Sequence, residues 1–375
     1  MVLNGFPTSG KTTICEANSP FIQVKTDKTE DNPPARGNQA MSNADKPRIC
    51  LLTSAETSPG VLYGLYDILS TVGAAYPDMI SGITSQELLD IKIVAKSREP
   101  FRCIGNVKLE PHNSLEEIQQ TDAVVVCDMY TPIDQSPKDR YIDEVEWLKQ
   151  MYARQAILTA VCSGSAVLAE TGLLNGHEIS GHWAYRHMFA RHYPQIKWRE
   201  DAIINFSAAD KRLITTGGVT AWQDLAIYLI KHFCGLQHAI YTAKVHLLQT
   251  HDEGQLPFAA MTQRYQTGDA AISHCQTWIL ENLDCPNPVA CMTEQSGLKA
   301  RTFARRFRDA TNYQPIDYVQ NLRIEAAKNL LETEAIGIDE ISLQVGYEDP
   351  ASFRRLFKRR VGITPASYRK KFAHL

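Results

Sequence analysis

Gly297-Leu298-Lys299-Ala300-Arg301-Thr302-Phe303-Ala304-Arg305-Arg306-Phe307 and Gly346-Tyr347-Glu348-Asp349-Pro350-Ala351-Ser352-Phe353-Arg354-Arg355-Leu356-Phe357 are two versions of one short text. Phe303, Arg305, Phe307, Pro315 and Tyr318 recur in register as Phe353, Arg355, Phe357, Pro365 and Tyr368. Each copy follows a glycine hinge, Ser296-Gly297-Leu298 or Val345-Gly346-Tyr347, and precedes Pro-x-x-Tyr. The pattern predicts helix, short turn, helix and then a proline-started helix, twice over.

At about 100° per residue, Phe303 and Phe307 share one helical face while Arg301, Arg305 and Arg308 lie roughly opposite. The second copy repeats the scheme. Phe353 and Phe357 point inward, Ala351, Arg355 and Lys358 outward, and Arg354, Arg359 and Arg360 flank them. Such a helix can set Arg forks against guanine edges in a major groove and its neighbours against phosphates. A basic stretch is more often just a solvated face, but chance does not repeat one in register.

The run from Gly297 to Phe307, the long helix expected from Tyr318 to Glu332, and Val345 to Phe353 through Gly362-Ile363-Thr364-Pro365 resemble the AraC/XylS transcription regulators. The resemblance covers about a hundred residues. It implies two recognition helices held by one stiff connecting helix and entering successive major grooves of double-stranded DNA. By position, base contacts fall on Arg301, Ala304 and Arg305 in the first unit and on Pro350, Ala351, Ser352, Arg354 and Arg355 in the second, with Arg308 and Lys358 beside them. Lys299 stands where the family usually has a capping Ser. A lost cap costs about 1 kcal/mol, so the first unit is expected to be the less rigid.

Charge separates the chain into two parts. The whole carries −3, yet residues 287–375 hold fifteen Lys and Arg against ten Asp and Glu, a net +5, leaving −8 for residues 1–286. Phosphate affinity is therefore expected in the C-terminal part. Nine cysteines without a Cys-x-x-Cys fit reduced thiols rather than a disulfide framework or a zinc site. No apolar run reaches the roughly 18 residues of a membrane span, and no signal-peptide pattern opens the chain. A cytoplasmic protein is expected, with no membrane partner.

Gly5-Phe6-Pro7-Thr8-Ser9-Gly10-Lys11-Thr12 fits the phosphate-loop pattern. The preceding strand has only Met1 to Asn4 to form from, and Pro20 follows within eight residues. Residues 1–45 are read instead as a disordered leader, with Met41 a candidate for the natural start.

From Lys46 to Gly235, strand-like runs (Arg48–Thr53, Ile91–Ala95, Ala123–Cys127, Ala156–Val161) alternate with helix-like ones (Val61–Tyr76, Asp139–Tyr152, Ser163–Glu170, Trp222–Phe233). This alternation predicts an α/β fold, a doubly wound, mostly parallel, flavodoxin-like sheet followed by an all-α domain with two helix-turn-helix units. After Ala156–Val161 comes Cys162-Ser163-Gly164, a strand-to-helix turn of the nucleophile-elbow kind. A helix N-terminus there should favour the thiolate.

Cys162-Ser163-Gly164, Leu168-Ala169-Glu170-Thr171-Gly172, Gly181-His182-Trp183, Tyr193-Pro194 and Thr216-Gly217-Gly218-Val219-Thr220-Ala221 with Asp224-Leu225-Ala226 resemble the class I glutamine-amidotransferase-like (ThiJ/PfpI-type) domain that precedes AraC-type units. Against the enzymes of that family the catalytic parts are altered. Ser163 replaces the His that often follows the nucleophile, Val61 stands where a supporting acid lies with Glu56 the nearest carboxylate, and Cys127-Asp128 replace a glycine pair and should crowd the oxyanion site. Cys162 and His182 are vestiges of catalysis under this reading. They become ligand-binding residues together with Ser163, Trp183 and Glu56, and Trp183, Tyr185 and Glu56 could receive a cationic small molecule.

His187 and His192, interleaved with Arg186 and Arg191, read as amphipathic and exposed. Spacings of five keep His182, His187 and His192 from sharing a metal, and neither metal nor cofactor is expected. The domains are accordingly 1–45 leader, 46–235 ligand-sensing domain, 236–268 linker and 269–375 DNA-binding domain. The resemblance implies an activator that answers to an amino acid or a quaternary amine, works as a homodimer and meets RNA polymerase. The alternatives are a cysteine-dependent amidase fused to a DNA-binding module and a purely architectural DNA-binding protein.

Overall fold

The computed structural model describes residues 46–133, 135, 137–261 and 268–373. The phosphate-loop pattern, the rest of the leader and linker residues 262–267 lie outside them.

Strands β1 (Arg48–Leu52), β2 (Asp90–Ala95), β5 (Asn113–Ser114), β6 (Ala123–Val126), β7 (Ile157–Val161), β10 (Ile204–Phe206) and β11 (Leu213–Thr216) form one sheet in the order β10-β11-β7-β6-β1-β2-β5. All neighbours pair in parallel except β10 with β11. Two short ribbons, β3 (Phe101–Arg102) with β4 (Lys108–Leu109) and β8 (Glu178–Ile179) with β9 (Lys197–Trp198), lie outside it. β1 shows why this sheet must be covered twice: Ile49 and Leu51 enter one core, Cys50 and Leu52 the other. Helices α1 (Pro59–Ser70), α6 (Trp222–Cys234) and α7 (Leu236–His246) bury Leu62, Leu65, Leu229 and Ala239 in the first core. Helices α3 (Ile142–Ala153), α4 (Gly164–Glu170) and α5 (Arg186–His192) bury Leu148, Val167 and Phe189 in the second.

The segment read as linker begins as part of this layer. Tyr241 of α7 stacks on Tyr76 of α2 (Ala75–Ser81) at 4.0 Å, with the rings nearly parallel.

The C-terminal helices α8 (Ala270–Glu281), α9 (Pro288–Gln295), α10 (Ala300–Thr311), α11 (Pro315–Thr333), α12 (Ile338–Gln344), α13 (Pro350–Val361) and α14 (Pro365–Phe372) follow the duplicated text. Phe303, Phe307 and Tyr318 meet with centroids 5.4 and 5.3 Å apart; Phe353, Phe357 and Tyr368 repeat the contact at 5.7 and 5.6 Å. These are two separate cores. Helix α11 serves both, with Tyr318, Val319 and Leu322 in one and Ile324, Ala327 and Leu331 in the other. Each hinge glycine has left-handed φ, +64° at Gly297 and +85° at Gly346.

Candidate functional site

Residues at the carboxyl ends of β1, β6 and β7 converge at the point where strand order reverses. Cys162 sits between β7 and α4 with φ +54°, the left-handed conformation of an elbow. Gly164 is required there, because a Cβ would lie 2.6 Å from the carbonyl oxygens of both Val126 and Cys127.

The electrostatics reverse the expected thiolate. Cys162 is 4% exposed. Burial raises its thiol pKa well above the ordinary value, and the charge and hydrogen bond of Asp128 act in the same direction. The Ser163 N–H opposes weakly. That N–H donates to Asp128 Oδ1 at 3.3 Å, and the Ser163 hydroxyl donates to the same oxygen. A carboxylate thus takes the backbone donor that an oxyanion hole would supply.

His182 lies in the same electrostatic neighbourhood. Burial lowers its pKa while Asp128 pulls the other way, and its Nδ1 accepts from the Ala184 N–H at 3.2 Å. Glu56 is on the adjacent loop, where its carboxylate accepts from Ser54 Oγ at 2.8 Å and from Arg140 at 3.3 Å. Tyr185, expected to offer its ring to a cation, is instead buried, and its hydroxyl donates to the Thr131 carbonyl at 2.6 Å. The Trp183 backbone N–H donates to Gln255 Oε1 at 3.0 Å.

Gln255 has no motif to announce it. It is 2% exposed, and its Nε2 donates to the Gly181 carbonyl at 3.0 Å. Six residues on, Met261 is held by α11: its N–H donates to Glu325 at 3.0 Å and its carbonyl accepts from Asn321 at 3.1 Å. The Ala259 carbonyl accepts from the buried Lys328 ammonium at 2.8 Å.

Arg186 and His187 are not the exposed pair that their amphipathic pattern suggests. Both hydrogen-bond the hydroxyl of Tyr313, from the turn between α10 and α11, and Arg186 also pairs with Glu200. Burial pushes the His187 pKa down to about 4.

On α10, Arg301, Arg305 and Arg308 are exposed and Ala304 is half-buried. On α13, Ala351, Ser352, Arg354, Arg355 and Lys358 are exposed beside the half-buried Pro350. Arg354 pairs with Asp339, and Arg355 donates to Ser352 Oγ at 2.7 Å. Arg306 and Arg360 brace the helices: Arg306 grips Asp269 through two bonds of 2.7 Å, and Arg360 donates to Asp317 at 2.6 Å. Lys299 makes no side-chain cap, whereas Asp349 accepts from the N–H groups of Ala351 and Ser352.

Tandem helix-turn-helix units with outward arginines, behind a doubly wound α/β layer, define a DNA-binding regulator. Residues 292–371 match the helix-turn-helix domain and residues 81–232 the DJ-1/PfpI family, so the chain carries an AraC-type DNA-binding domain behind a DJ-1/PfpI domain. It is 23% identical over 310 residues to the HTH-type transcriptional regulator CdhR of Pseudomonas aeruginosa, covering 81% of this chain and 88% of that one. It is 22% identical to the regulator GbdR of the same species over 81% of this chain and 82% of that one. Over 56% of this chain and 64% of the relative it is 25% identical to the regulator GlxA of Rhizobium meliloti. Among the described residues no helix is long and apolar enough to cross a membrane.

Proposed function

We propose that the chain is a transcriptional activator whose DNA affinity is set by a small molecule bound around Cys162, Ser163, His182, Trp183 and Glu56, and that this domain performs no hydrolysis. The effector is an amino acid or a quaternary amine, whose cationic end takes the Glu56 carboxylate from Arg140 against the Trp183 ring. The active form is a homodimer that engages RNA polymerase. A protonated thiol beside a carboxylate is a poor nucleophile, which supports sensing over turnover.

One observation carries the reading: residues 255–261 are bonded to the His182-Trp183 loop at one end and to α11 at the other. A ligand that shifts that loop must also shift Gln255 and, through it, the helix that spaces the two reading units. The test is a thermal-shift screen of amino acids and methylated amines on the full chain, followed by Gln255→Ala. We expect this variant still to be stabilised by the effector while its DNA affinity stops responding. A variant that responds like wild type defeats the relay, and a screen without any stabilising compound defeats the effector class.

A cavity of about 660 Å³, lined by Thr220, Gln223, His251, Asp252, Glu253 and Lys371 among others, supports a second location for the effector. Its size suits a small ligand. Loss of effector stabilisation in His251→Ala, with retention in Cys162→Ser, would move the site there.

A further inference from the structure

Cys285, in the turn between α8 and α9, and Cys291, on α9, have their Sγ atoms 2.9 Å apart. Both are half-buried, and Asp284, Pro286, Asn287 and Ala290 around them are exposed, so a small solute can reach the pair. Cys50, Cys103, Cys127, Cys162 and Cys275, by contrast, are buried. A disulfide needs the two sulfurs at about 2.05 Å, a closure of less than 1 Å from where they stand.

The backbone of this turn has a second role. The Cys285 carbonyl accepts from Arg323 Nη2 at 2.8 Å and the Leu283 carbonyl from Arg323 Nε at 2.7 Å. Arg323 belongs to α11, and its guanidinium lies 5.2 Å from the centre of the Tyr347 ring in the hinge of the second unit. The turn that holds Cys285 therefore braces the first reading unit against the second.

We propose that Cys285 and Cys291 form an oxidant-responsive site, in which a peroxide converts the two thiols to a disulfide and thereby weakens DNA binding. One thiolate attacks a peroxide oxygen, breaking O–O and leaving a sulfenic acid; the second thiol attacks that sulfur, S–S forms, S–O breaks and water leaves. Two thiols and one hydrogen peroxide give one disulfide and two waters. Low-molecular-weight thiols reverse the step by exchange. Both Arg323 bonds are short and charge-assisted, so a displacement of the Cys285 turn on S–S closure disturbs them and loosens the spacing of the reading units.

The inference rests on the DNA-binding reading, and the two fail separately. Full-length reduced protein is used to select a duplex from a random library; failure to select any sequence counts against DNA recognition, not against the thiol pair. Hydrogen peroxide is then titrated, disulfides are mapped by mass spectrometry, and affinity for the selected duplex is measured before and after dithiothreitol. We expect a peptide linking Cys285 to Cys291 before other cysteines react. Binding should weaken by about tenfold, the equivalent of one charge-assisted hydrogen bond, and recover on reduction. Cys285→Ser and, independently, Cys291→Ala should bind like the reduced protein and ignore peroxide. No Cys285–Cys291 link, or a link that leaves affinity unchanged, overturns the proposal.

Discussion

Asp128 follows strand β6 by two residues, at the edge where a doubly wound sheet carries its site. Its carboxylate takes the Ser163 N–H and hydroxyl and helps to keep the Cys162 proton in place. Asp128→Asn removes that charge, so the Cys162 pKa should fall. The pH profile of its alkylation by iodoacetamide should move to lower pH, and an unmoved profile would leave burial as the sole cause. Cys162→Ser is nearly isosteric and should keep both the fold and DNA binding, as read by melting temperature and gel retardation. Arg305 and Arg355 make a sharper pair. If each reads a base edge, either Ala variant should lose about 1–3 kcal/mol of discrimination between selected and random DNA. Equal loss on both would assign these arginines to phosphates.

Among the elements, the two helix-turn-helix units differ at their caps. Asp349 satisfies two N–H groups at the start of α13, while Lys299 leaves α10 uncapped. Asp349→Ala should cost about 1 kcal/mol and Lys299→Ser should add a comparable amount, both measured by denaturant unfolding. The missing cap does not leave α10 adrift, since Arg306 grips Asp269, the N-cap of α8, through both oxygens. Gly346 is constrained more strictly. Its φ is left-handed, and a Cβ would meet the Leu283 carbonyl oxygen at 2.6 Å, so Gly346→Ala should destabilise the second unit more than either cap change.

For the molecule as a whole, acid should loosen the contact between Arg186, His187 and Tyr313. Burial and the neighbouring Arg186 push the His187 pKa down to about 4, against an ordinary value of about 6.5. Between those values the unfolded chain binds a proton that the folded chain does not, so stability falls as pH drops through that window. Wild-type melting temperature should therefore decline more steeply from pH 7 to 5 than that of His187→Asn, and parallel declines would assign the acid sensitivity elsewhere. The separation of charge predicts that DNA affinity of the full chain drops steeply between about 50 and 200 mM salt.

Much of this was legible because it is local. The duplicated Phe-x-Arg-x-Phe text puts a Phe pair on the inward face of each helix, since helical periodicity settles which residues share a face, and the packing gathers each pair with its Tyr into a core of its own. The strand-turn-helix text around Cys162 implied the elbow that its φ displays. The order of elements, the two basic helices and the position of the elbow follow from local residue patterns alone. The charge state at the elbow came instead from packing, because burial and proximity to Asp128 govern a pKa more than a helix terminus does. Packing is also what makes Gln255, Arg186, His187 and Arg323 join elements far apart in the chain. Such contacts leave no periodic trace, for they depend on where the packed elements bring single polar groups within hydrogen-bond reach.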